Sequence, residues 1–282
     1  MTSNRDRQRA TARARLEREM ADRASRHRRR RRTQAAIAIG AGALVVVLGT
    51  VWIVVNVTGD KKKGAVADAS ASPSAPTKCT WNPVVDPSVS PKPSLPVELR
   101  DVGTPPAGGE PRSGTQLMTM TTSQGVIKIE IDTAHAPCAA ASFTYLAGKK
   151  FFDNSKCHRM VTSGIYVLQC GDPSATGRGG PQYRFDEENL PVNRRPAYPE
   201  GVVALAKTQN PGTSGSQFFI VYKDSDLPAD YTILGRVTEG LDVIKKVAEA
   251  GVTPDPASGG TTDGAPKLEV KITSLTVAAP SS

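Results

Sequence analysis

Histidine, cysteine and aromatic side chains are all scarce in this chain: 3 His, 4 Cys, 2 Trp, 6 Tyr and 6 Phe among 282 residues. No C-x-x-C and no H-x-x-x-H occurs, which argues against a zinc site of ordinary spacing, and no cofactor is expected. No G-x-S-x-G turn stands before a helix start, so a Ser-His-Asp hydrolase lacks its nucleophile elbow. Gly177-Arg178-Gly179-Gly180 lacks the Gly-Lys-Ser/Thr ending of a phosphate-binding loop and reads as a flexible loop at the edge of a site. Net charge is also missing from most of the chain. The overall +9 matches the first 33 residues alone, which hold 13 Arg against Asp6, Glu17, Glu19 and Asp22. The neutral remainder offers no broad electrostatic footprint for nucleic acid.

What is present begins with a 23-residue run without charge, Ala35 to Val57, long enough to cross a bilayer as a helix. A cleaved signal peptide would normally have an apolar stretch of about 7 to 15 residues. This one is longer and ends in Asp60 and Lys61-Lys62-Lys63, so a retained anchor is expected, with secretion after cleavage as the alternative. The arginines before the run place the N-terminus in the cytoplasm and the rest outside. The run Arg28 to Arg32 then serves topology and touches the anionic leaflet.

The expected organisation is a basic segment at 1–34, a membrane helix at 35–57, a stalk at 58–114, one globular domain at 115–277 and a tail at 278–282. Residues 64 to 114 carry 10 of the 22 prolines with abundant Ser, Ala and Gly, a composition that favours extended chain over a core. Cys79-Thr80-Trp81 interrupts it, and the tryptophan suggests local packing on the domain.

From Leu117 the pattern changes. Leu117 to Thr121 and Val126 to Ile131 alternate around Ser123-Gln124-Gly125, a β-hairpin. Pro137 opens a helix to about Ala147, and a second runs from Leu241 to Glu249. Strands are expected at 164–170, 201–206, 217–222, 233–237 and 267–277. Many short strands with two helices and no regular βαβ alternation predict a mainly β domain, an antiparallel barrel or sandwich closed by helices.

Two blocks carry the distinctive chemistry. One is Cys157-His158-Arg159-Met160, continuing to Gln169-Cys170-Gly171-Asp172; the other is Gly201 to Ala206, continuing to Gly215-Ser216-Gln217-Phe218-Phe219. Together with Phe185-Asp186-Glu187-Glu188-Asn189 between them, this order resembles the cyclophilin-type peptidyl-prolyl isomerases over residues 115 to 277. The resemblance implies a closed antiparallel β-barrel capped by two helices. It also implies a monomeric isomerase acting on proline-containing segments of secreted or surface proteins. The alternative is a chaperone or binding module that holds such segments without turnover.

Residue by residue, the resemblance implies that Arg159 is the catalytic arginine and that Gln169 orients it. Phe219 would floor the proline pocket, Ala206 would meet substrate through its backbone, and Gln217 would form the polar wall. Tyr166 and Val167 fall at the pocket edge, with Ile165 a rival because the spacing from Arg159 to Gln169 is two residues longer than usual. Leu227 and Tyr231 stand where a Trp and a His are common, which implies weaker binding of cyclosporin. His158 is expected to be structural. Outside the membrane at least one disulfide is expected among Cys79, Cys138, Cys157 and Cys170, with the pairing open and buried thiols the alternative. A bond from Cys79 would pin the end of the stalk to the domain.

Overall fold

The computed structural model describes residues 78–85, 94–106, 108, 110–254 and 261–281. The expected cytoplasmic segment, the apolar run at 35–57 and much of the proline-rich stretch lie outside those residues. Among the described residues no helix is long and apolar enough to cross a membrane.

The strands in chain order are β1 (Asn82–Pro83), β2 (Leu99–Arg100), β3 (Thr115–Thr122), β4 (Gly125–Asp132), β5 (Arg159–Ser163), β6 (Ile165–Cys170) and β7 (Gly180–Pro181). They continue as β8 (Tyr183–Arg184), β9 (Val202–Leu205), β10 (Phe218–Val221), β11 (Ile233–Glu239), β12 (Val252–Pro254), β13 (Asp263–Pro266) and β14 (Ile272–Val277). Helix α1 (Pro137–Gly148) follows β4, and α2 (Leu241–Glu249) follows β11. The expected hairpin is β3 and β4, paired in unbroken register from Thr115↔Asp132 to Thr122↔Gly125. The last strand begins at Ile272 rather than 267, because the chain bends at Lys267 and Leu268 after β13 and Lys271 makes only an isolated bridge.

Ten strands form one antiparallel sheet in the order β12-β13-β5-β6-β10-β9-β11-β4-β3-β14. The expected closed barrel is corrected here: the edge strands β12 and β14 do not pair with each other. The chain before β5 meets the start of β14 through three backbone hydrogen bonds, Asn154 N to Ile272 O and Ile272 N to Ser155 O at 2.8 Å and Cys157 N to Val270 O at 2.9 Å, with a single bridge at Lys156↔Lys271 and no continuous strand pairing. A segment that turns between α1 and β5 cannot offer the successive in-line amides a ladder requires.

The curled sheet has a large core on one face and a small one on the other. Met118, Ile127, Ile129, Leu168, Phe218 and Ile220 point into the large core, where α1 adds Phe143 and Leu146 and α2 adds Ile244 and Val247. The alternate residues of β6 and β10, Val167, Phe219 and Val221, join Val161, Tyr198, Ala204 and Ile233 on the opposite face. Because side chains alternate along a strand, a central strand can be apolar throughout and still serve two faces. All four residues of β10 are buried for that reason. The second cluster is the one that forms the site.

Two further pairs lie outside the large sheet. β1 pairs with β8 and β2 pairs in parallel with β7, so residues 82–83 and 99–100 provide the ladder partners of 183–184 and 180–181. A disulfide from Cys79 to Cys138, at the start of α1, fixes this strap. Trp81 packs edge-on against Tyr183 and Phe185, with ring centroids 5.4 and 5.5 Å away. The local packing suggested by Trp81 is therefore present. A second disulfide joins Cys157 to Cys170, and no described cysteine is free.

Candidate active site

One cross-strand row holds the centre of the site. Arg159 on β5 stands opposite Gln169 on β6, Gln169 opposite Phe219 on β10, and Phe219 opposite Ala204 on β9. Residues directly opposite share a face, so three antiparallel pairings bring together residues far apart in sequence. The Cys157–Cys170 disulfide ties the same two strands beside this row.

Hydrogen bonds then extend the row into a chain. Arg159 Nη1 donates to Gln169 Oε1 at 3.3 Å, Gln169 Nε2 donates to Gln217 Oε1 at 2.9 Å, and Gln217 Nε2 donates to the carbonyls of Gly177 and Gly179 at 3.0 Å each. On its other side Arg159 makes a bidentate ion pair with Asp263, Nε to Oδ1 at 2.8 Å and Nη2 to Oδ2 at 2.7 Å. That hydrogen bonding raises the arginine's already high pKa and outweighs its partial burial. The guanidinium is a fixed cation at every accessible pH.

A cleft of about 260 Å³ opens beside it, lined by Arg159, Ile165, Val167, Gln169, Ala206, Lys207, Phe219, Leu227 and Tyr231. Phe219 is almost fully buried at its base, edge-on to Tyr231 at 5.5 Å and Tyr198 at 5.9 Å. The Tyr198 hydroxyl accepts from Tyr231 N and donates to Tyr231 O, which locks the rim. Lys207 lies over the Tyr231 ring at 5.7 Å. A second cavity of about 390 Å³ adjoins through Gln169, Ala206 and Lys207, with Gln217, Arg178 and Arg184 also in its wall.

Of the expected residues, Arg159, Gln169, Val167, Ala206, Phe219, Leu227 and Tyr231 are thus gathered on one cleft, and Gln217 stands in the wall of its neighbour. Tyr166 is not on either. Ile165, Val167 and Gln169 share one face of β6, whereas Tyr166 points the other way, edge-on to Tyr222 at 6.0 Å with Lys223 over its ring. Period-2 alternation assigns the pocket edge to Ile165 together with Val167. His158 likewise turns inward, and burial pushes its pKa down.

The loop after β6 is organised by Asp172, which is fully buried. Its carboxylate accepts from the amides of Ser174, Gly177 and Gly179 and from the Ser174 hydroxyl at 2.7 to 3.0 Å. Burial alone would raise the carboxyl's pKa, but these donors hold it below the usual range. Gly171 is required just before it: its φ of +89° is left-handed, and a Cβ there would sit 2.2 Å from Ser216 O.

Asp263, Tyr198 and Lys207 were absent from the expected site. Lys207 could have been found as the neighbour of Ala206. Asp263 lies in a Gly- and Thr-rich stretch, 104 residues from its partner, where nothing local marks it.

Comparison with known proteins gives the family. The family model described as cyclophilin type peptidyl-prolyl cis-trans isomerase/CLD matches residues 117–277, and the chain belongs to that family. A protein described as probable peptidyl-prolyl cis-trans isomerase B from Mycobacterium leprae is 42% identical over 208 residues, covering 70% of this chain and 65% of its own length. The protein of the same description from Mycobacterium tuberculosis (strain ATCC 25618 / H37Rv) is 40% identical over 195 residues, covering 65% and 61%. The chain therefore spans just under two thirds of these relatives. The match to the M. leprae protein is longer than the 117–277 domain and runs into the strap before it. A crystal structure of a cyclophilin type isomerase from Cryptosporidium parvum aligns at 25% identity with a TM-score of 0.49, covering 59% of this chain and 99% of that one.

Proposed function

We propose that this protein is a peptidyl-prolyl cis-trans isomerase that acts on X-Pro bonds of secreted or surface polypeptides, held at the outer face of the membrane by its N-terminal helix. The observation that carries the activity is the fixed Arg159 guanidinium beside a cleft floored by Phe219, with Val167 and Leu227 in its wall. The prolyl amide resists rotation by roughly 18 to 20 kcal/mol, and the unaided reaction takes tens to hundreds of seconds. Twisting the bond makes the nitrogen pyramidal and returns its lone pair. A guanidinium N–H placed at that nitrogen is worth more to the twisted than to the planar amide, which is what lowers a barrier.

The remaining groups hold the substrate. Phe219, Val167 and Leu227 receive the proline ring, the Ala206 backbone meets the chain, and Gln169 keeps the guanidinium aimed. No proton transfer and no covalent intermediate is needed. A module that only held proline segments would use the pocket without the arginine, so the oriented Arg159 supports turnover. The placement outside the membrane rests on the apolar run and the arginines before it, and is supported by two disulfides, which persist in oxidising compartments.

A protease-coupled isomerisation assay on the full chain tests this. Arg159→Ala should lower kcat/KM by about 100-fold or more while peptide binding, measured by NMR titration, falls much less. Equal rates in the two proteins would refute the reading.

A further inference from the structure

The ion pair between Arg159 and Asp263 is partly open to solvent. Its side chains are 42% and 26% exposed, a setting in which such pairs contribute little to folding. Its geometry is nonetheless the most restrictive an arginine can have, two parallel hydrogen bonds at 2.8 and 2.7 Å along the edge formed by Nε and Nη2. With Gln169 on Nη1, three of the five guanidinium donors are engaged and two remain for substrate. Asp263 is itself placed by the sheet: β13 pairs with β5 through Asp263↔Val161 and Gly264↔Met160, and Thr162 N donates to Thr262 O at 2.8 Å. The short strand holds the Asp263 carboxylate against the edge of the guanidinium opposite Gln169.

We infer that Asp263 is a positioning residue for isomerisation, acting through Arg159 by fixing the plane of its guanidinium so that the two free donors face the prolyl nitrogen. This rests on the isomerase reading above and adds a residue to it. A carboxylate beside the arginine also dampens its field, so the inference commits to orientation outweighing neutralisation. Arginine has several soft torsions, and the bidentate fork removes that freedom before substrate arrives.

The test uses the full chain and a short X-Pro peptide. Asp263→Asn should reduce kcat/KM about tenfold with peptide affinity changed by less than about twofold and the thermal midpoint unmoved. Asp263→Glu, which keeps the carboxylate, should recover part of the loss. The decisive measurement is the double-mutant cycle: in an Arg159→Ala background, at high enzyme concentration, Asp263→Asn should cost nothing more. An Asp263→Asn protein as active as the unsubstituted chain, or more active, overturns the inference. So does a loss that persists in full without Arg159, since that would mark a merely structural role. An unsubstituted chain with no activity would instead refute the isomerase reading itself.

Discussion

The two halves of the site are built on different principles. Arg159, Gln169 and Phe219 sit in one row of a hydrogen-bonded sheet, with a large core behind them, so their spacing follows from strand geometry. The wall formed by residues 177–184 belongs to no such sheet. It is held from inside by the Asp172 carboxylate and from outside by the strap, whose β1 and β2 pair with β8 and β7. Gln182 shows how thoroughly the strap engages it: its side chain accepts from Val102 N and donates to Gly103 O, while its amide donates to Arg100 O. A sheet supplies position cheaply and everywhere. A loop must be given each of its anchors separately, so it fails one anchor at a time.

The largest test of this contrast is to cut the strap's covalent anchor. Cys79 and Cys138 are 59 residues apart, and by the chain-entropy model their bond contributes about 4 kcal/mol. Cys79→Ser should therefore lower the denaturant midpoint markedly, and hydrogen exchange should accelerate first in residues 180–184 and last in β6 and β10. Uniform acceleration would show the two halves to be one cooperative unit. A fragment starting at residue 115, which lacks the strap entirely, should be less stable still.

Glu188 sharpens the comparison at the place where the two halves meet. Its carboxylate accepts from Ala139 N at 2.7 Å at the start of α1, and its own amide donates to Thr232 beside the rim. Burial pushes its pKa up to about 7 from 4.5, against the hydrogen bonds from Ala139 and Cys138 and the charge of Arg112, which pull it down. The folded protein thus keeps a proton that the unfolded chain releases. The associated stability is complete below about pH 4.5 and is lost as pH rises through 7, an effect on the order of 3 kcal/mol. Thermal unfolding from pH 5 to pH 8 should show the decline, and Glu188→Gln should flatten it. A slope unchanged in that variant would assign the effect elsewhere.

The smallest effect is expected at the rim. Leu227 is half-buried against the Phe219 cluster. Leu227→Trp should strengthen cyclosporin binding about tenfold, near 1.4 kcal/mol, by adding a large aromatic contact. Calorimetric titration would check it, and no change would remove Leu227 from the ligand-contacting rim.

The sequence revealed the sheet half far better than the loop half, for physical reasons. Alternating apolar residues announce strands, and strands in known order bring Arg159, Gln169 and Phe219 together. The same alternation shows why Tyr166 was misplaced: a shift of one residue exchanges the faces of a strand. Two-residue strands such as β1, β2, β7 and β8 carry no period at all, so proline-rich chain that is paired reads the same as chain that is not. Four cysteines allow three full pairings, and only the fold selects Cys79 with Cys138. Asp263 needed the register of β13 on β5, a contact between segments about a hundred residues apart.

The position of Cys79 at the head of the strap determines where mechanical load would travel. Tension arriving from the N-terminal side reaches Cys79 before it reaches Trp81, and the covalent bond passes it directly to Cys138 at the start of α1. From there it enters the helix whose Phe143 and Leu146 are fully buried in the large core. The hydrogen bonds of Val84, Arg100, Val102 and Gly103 that shape the loop wall lie beyond that junction and outside the path of the load. A pull on the chain before Cys79 is thereby taken up by the helix and leaves the cleft undistorted.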